Sequence, residues 1–113
     1  MQSYTKVYLK AFRLDESDFC QCETCTEKVR ATDIHHILTR KKHPEGLDQI
    51  ENIMAICRDC HEKYGDRIYL IPILFRIHRR VLQLCRIKHN RIWIKDQIEK
   101  YENLTALKDQ CTF

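Results

Sequence analysis

Asp33-Ile34-His35-His36-Ile37 opens a stretch that closes on Asn52-Ile53-Met54-Ala55-Ile56-Cys57-Arg58-Asp59-Cys60-His61, and the fold follows from how the two ends are read. Between them runs a polar, basic loop, Thr39-Arg40-Lys41-Lys42-His43-Pro44-Glu45-Gly46, which holds the clearest chain breakers in the sequence. Apolar residues on either side of that loop predict two strands, over 29–38 and 50–56, paired as a hairpin. A short helix is expected from about Cys60 to Tyr64, with Gly65 placed to cap it. Two strands followed by a helix make this an α+β unit.

The Cys57-x-x-Cys60 pair has an upstream counterpart in Cys22-x-x-Cys25. A tight turn lets two thiolates converge on one metal. Four thiolates at about 2.3 Å would complete a closed tetrahedral zinc site with no open position, which makes the zinc structural. Cys20 competes with Cys22 for the first pair, although Cys-x-Cys is the less common chelate. Thr26 stands where many such knuckles carry glycine. Cys85 and Cys111 fit no pair, and Cys85 reads as a small core residue of its helix.

With 113 residues the chain has the size of one small domain, for which a metal clip would be a useful share of stability. It divides into an amino-terminal helical segment (1–18), a cysteine-clipped core (19–66) and a basic helical region (67–113). The seven cysteines are odd in number and come without an export signal, since Met1-Gln2-Ser3-Tyr4-Thr5-Lys6 is too polar for one. The most apolar run, 68–77, is short and interrupted by Arg76. Together these features predict a cytoplasmic protein with no membrane partner, whose paired cysteines bind metal rather than form disulfides.

The flanks read as helices. Tyr4, Val7, Tyr8, Ala11 and Phe12 recur at helical spacing over residues 1–13. Beyond Asp66 a stripe of Leu74, Ile77, Val81, Leu84 and Cys85 predicts one helix, with Pro72 in its first turn. Ile94, Ile98, Tyr101 and Leu104 predict a second, and His89-Asn90 marks the break between them. From Arg67 to Lys95 there are eight Lys or Arg residues and no acidic one. Arg76, Arg79 and Arg80, with Arg40, Lys41 and Lys42 of the central loop, are the candidates for contacting a phosphate backbone.

As an ordered set, His-His, Asn and Cys-x-x-Cys-His resembles the active site of HNH endonucleases, the ββα-metal or His-Me finger nucleases that often carry a four-cysteine zinc site. The resemblance covers roughly residues 19–65. It implies a metal-dependent endonuclease that hydrolyses DNA phosphodiesters and nicks as a monomer, or, without catalysis, a zinc-stabilised nucleic-acid-binding module. It makes His35 and His61 ligands of a catalytic Mg2+ or Mn2+, His36 the general base, and Asn52 the residue that holds the hairpin loop. Some family members have a further ligand where this chain has Gly65. The resemblance also suggests a setting in phage or mobile elements, and a homodimer or larger nuclease complex as a possible assembly. Two geometric expectations go with it. Neighbours on a straight strand face opposite ways, so His35 and His36 can share a site only where the strand ends or bends. Asp33 lies on the face of His35, where it would fix that ring's tautomer. His43, His78 and His89 read as ordinary hydrogen-bonded residues.

Overall fold

A computed structural model describes residues 1–110, with side chains to residue 106. Cys111 lies outside the described residues. The elements run α1 (Ser3–Ala11), β1 (Asp33–His36), β2 (Ile53–Ile56), α2 (Arg58–Tyr64), α3 (Ile71–Leu84) and α4 (Arg91–Gln110), with single 3-10 turns at Pro44–Gly46, Ile50–Asn52 and Ile68–Leu70. This is a small mixed fold with a two-stranded antiparallel sheet and a cysteine cluster, consistent with a ββα-metal unit.

The hairpin pairs Asp33 with Ile56, Ile34 with Ala55, His35 with Met54 and His36 with Ile53. Both strands are shorter than the sequence pattern suggests. Residues 50–52 form a 3-10 turn instead of extending β2, because Asn52 turns inward to bond the loop. On the other side, residues 29–32 leave β1 to meet the cysteine turn, where Gln21 bridges Arg30.

Strand β2 is buried along its whole length and sits among three clusters. Met54 joins the core of α3 and α4, Ile53 and Ala55 pack under α1, and Ile56 belongs to the cysteine cluster. Helix α1 is anchored by Tyr8, whose ring stacks on Phe12 at 4.3 Å. Helix α2 begins at Arg58, with Cys57 as its N-cap, so Cys60 lies in its first turn.

The stripe of α3 is rotated from the expected one. Ile71, Leu74, Phe75, His78 and Leu82 face inward, while Leu84 and Cys85 are exposed. The reason is His78, a polar residue at a helical core position that finds buried partners and turns that face in. Cys85 caps the helix end and is not a core residue. In α4, Ile94, Ile98 and Tyr101 are buried as expected, whereas Leu104 is 45% exposed. Asn90 starts α4 by accepting the Trp93 N–H on its side chain at 3.0 Å, the usual work of an N-cap. Among the described residues no helix is long and apolar enough to cross a membrane.

Candidate metal and nuclease site

The hairpin brings both cysteine pairs to one end of the sheet. Cys22, Cys25, Cys57 and Cys60 place their sulfurs within 4.8 Å of one another, with Cys25 at 3.8 Å from Cys57 and 3.6 Å from Cys60. Four sulfurs at such spacing are placed to hold one tetrahedral zinc ion. Among the described residues this is the one group of three or more metal-ligating side chains brought together. Cys20 stays out of it and packs against the Tyr8 cluster. Burial raises the Cys22 thiol, but hydrogen bonds from Thr24 and nearby backbone N–H groups outweigh that and bring it down to about 7. Cys22 is thus disposed toward the thiolate a metal requires.

At the opposite end of β1, His35, His36, Thr39, Arg40, His61 and Asp66 line one cleft of about 200 Å3. The strand ends at His36, and that is how adjacent residues come to border the same space. His35 is 3% exposed and sets its Nδ1 at 3.2 Å from Nε2 of His61. Burial, then the neighbouring His61, lowers the His35 pKa to about 4, so its imidazole is neutral at physiological pH. The other nitrogen of His35, Nε2, is buried without a partner.

Asp33 does not reach His35. Its carboxylate accepts the Nδ1–H of His61 at 2.9 Å and two bonds from the Arg58 guanidinium at 2.9 and 3.1 Å. The Arg58 bonds, ahead of the His61 bond, hold the Asp33 carboxyl down at about 2. Strand alternation put Asp33 on the His35 side, but the ring that swings in comes from α2. The consequence is a fixed tautomer for His61: with Nδ1 donating, Nε2 presents its lone pair toward His35. Two imidazole nitrogens this close suit neighbouring ligands of one ion, and water and phosphate oxygens would fill the remaining positions. Such a set, two imidazoles with oxygens in the remaining positions, would take a hydrated divalent ion.

His36 bonds the Leu47 carbonyl through Nε2 at 2.9 Å. A carbonyl only accepts, so the proton is on Nε2 and Nδ1 of the neutral ring is unprotonated. The loop that supplies this carbonyl is held by Asn52, which is fully buried. Its Oδ1 accepts from the Leu38 N–H at 2.8 Å, and its Nδ2 donates to the carbonyls of Leu38 at 3.0 Å and Gly46 at 3.2 Å.

Gly65 is not a left-handed cap: its φ is −70°, and the left-handed residue is Asp66 at 60°. A Cβ on Gly65 would lie 2.5 Å from the His61 carbonyl and 2.9 Å from its ring, so glycine here makes room for the histidine pair.

Of the basic candidates, Arg40, Lys41, Lys42 and Arg80 are exposed, Arg79 is half-buried, and Arg76 is engaged by Glu102 of α4. One feature left no trace in the sequence pattern. Glu23, inside the first cysteine turn, is buried and receives the Tyr8 hydroxyl at 2.6 Å, the Ala55 N–H at 3.1 Å and the His78 ring at 2.7 Å.

A two-stranded sheet and helix with a zinc-ready cysteine quartet at one end and a histidine cleft at the other are consistent with a small ββα-metal unit. Residues 22–67 match the family described as HNH endonuclease. A match to that family suggests a nuclease-type function. Neither a curated protein nor a solved structure matches the chain.

Proposed function

We propose that the protein is a metal-dependent endonuclease that hydrolyses DNA phosphodiester bonds, cutting one strand per site and so nicking as a monomer inside the cell. The observation that carries this reading is the cleft shared by His36, whose Nε2 bonds the Leu47 carbonyl, and the His35–His61 nitrogen pair. His36 acts as general base, taking a proton from the attacking water at Nδ1 while Nε2–H stays on the Leu47 carbonyl. His35 and His61 would hold a Mg2+ or Mn2+ ion, with Asp33 orienting His61. When bound, that ion supplies charge stabilisation at the phosphate and the departing oxygen. Asn52 keeps the loop, and with it the Leu47 carbonyl, in place. Arg40, Lys41, Lys42, Arg79 and Arg80 contact the DNA backbone without reading its sequence. Arg76 contributes less, because Glu102 already occupies it.

Nicking of supercoiled plasmid in Mg2+ or Mn2+ tests the proposal, comparing wild type with His36→Ala at matched zinc content and circular dichroism. We expect wild-type nicking and a loss of roughly 100-fold or more in the variant, the scale of a missing general base. Equal cleavage by both proteins would refute the role of His36. Salt-sensitive DNA binding with no cleavage would identify a non-catalytic binding module instead.

A further inference from the structure

Helix α1 lies outside the segment that matches the nuclease domain, yet it reaches the candidate base. Tyr4 meets the His36 imidazole edge to face, with ring centroids 4.6 Å apart and planes at 79°. The Arg40 guanidinium lies 6.0 Å from the centroid of the Tyr4 ring. Tyr4 also walls the larger groove, about 680 Å3, that runs beside β1 to Asp33, Arg58 and His61. The helix that carries it is not loosely attached. Tyr8, one turn on, is 2% exposed and bonds Glu23, and Ser3 bonds Asp48 of the hairpin loop at 2.6 Å.

Among the described residues the His36 ring has one hydrogen bond, through Nε2. A single bond leaves an imidazole free to rock about that contact, which would carry Nδ1 out of line with a bound water. An aromatic ring packed edge to face removes that freedom, and such pairs have a preferred geometry of their own. We propose that Tyr4 is a positioning residue for the general base: it fixes the plane of the His36 ring, and it holds Arg40 beside the same cleft. The amino-terminal helix thereby becomes part of the catalytic unit. This inference rests on the nuclease reading above for its effect on turnover, but the contact itself is open to a separate measurement.

The test uses the full chain with Tyr4→Phe and Tyr4→Leu, each checked for zinc content and melting. Phe keeps the ring, while Leu keeps apolar bulk without it. We expect Tyr4→Phe to nick like wild type. Tyr4→Leu should lose roughly ten- to a hundredfold in kcat with KM changed by less than about threefold, as misplacement of a catalytic group does. In a proton–carbon NMR spectrum the His36 ring signals should move in Tyr4→Leu and stay in place in Tyr4→Phe. Wild-type kcat in Tyr4→Leu, or equal losses in both variants, would overturn the proposal. If the wild type does not nick, the nuclease reading fails alone. The NMR comparison then decides the contact, and His36 signals unmoved by Tyr4→Leu would overturn it.

Discussion

Asn52 shows how much one side chain can hold. Its three bonds reach the backbone of Leu38 and Gly46, residues on either side of the basic turn, from a position with no solvent access. Asn52→Ala would leave a buried N–H and two carbonyls without those partners, at a cost of about 3 kcal/mol. We expect a urea midpoint lowered accordingly, together with a loss of nicking, because the Leu47 carbonyl that orients His36 belongs to the same loop. A wild-type midpoint would show that the loop holds itself. At this scale the sequence was readable where spacing carries the information: His35, His36 and His61 line one cleft, and Asn52 bonds the hairpin loop. It was unreadable where a partner arrives from another element. Alternation along β1 says which face Asp33 shares with His35, but nothing about α2 delivering Arg58 and His61 to that carboxylate.

Between elements the same contrast holds. Helical periodicity located α3 and α4, but the face of α3 was misjudged because an apolar count gives His78 no weight. His78 is 0% exposed, with Nδ1 on Glu23 at 2.7 Å and Nε2 on the Ile50 carbonyl at 2.6 Å. Both partners accept, so the ring carries two protons. Burial by itself would lower the His78 pKa, but the charge and hydrogen bond of Glu23, then the Ile50 carbonyl and Glu51, raise it. Tyr8, whose hydroxyl shares Glu23, is pushed up by burial. A raised folded-state value means the stabilisation is complete below the unfolded pKa of about 6.5 and is lost as pH climbs through the folded one. The zinc-loaded protein should therefore lose stability above neutral pH, at up to about 1.4 kcal/mol per pH unit, and His78→Gln should lack that slope. Parallel curves for the two proteins would show that His78 is neutral. The cysteine end makes a second demand on the elements. Each strand of the sheet has four residues, too few to stand alone, and the quartet closes it. Cys60→Ala, or removal of zinc by a chelator, should abolish the cooperative melt. An unchanged melt would leave the quartet without a structural role.

For the whole molecule the question is where a polyanion lies. The net charge of +4 is modest, and what counts is which cations are free. Sequence alone made the basic stretch of the carboxy-terminal helices the main surface, because it holds most of the arginines. In the folded protein Arg76 is already paired with Glu102, which α4 brings beside α3. The hairpin loop is different: Arg40, Lys41 and Lys42 are exposed, and Arg40 lines the cleft with His35, His36 and His61. Phosphates bound there would be next to the chemistry. Each phosphate neutralised contributes about 0.9 to the slope of log K against log salt on duplex DNA. Changing Arg40, Lys41 and Lys42 together to Ala should therefore reduce the slope by about 2 to 3, measured by fluorescence anisotropy on a short duplex, while Arg76→Ala alters it little. A slope lowered more by Arg76→Ala than by the triple change would move the DNA onto α3 and away from the cleft. A duplex there would leave His36 without a phosphate in reach, so the salt dependence tests the docking geometry that the proposed nicking requires.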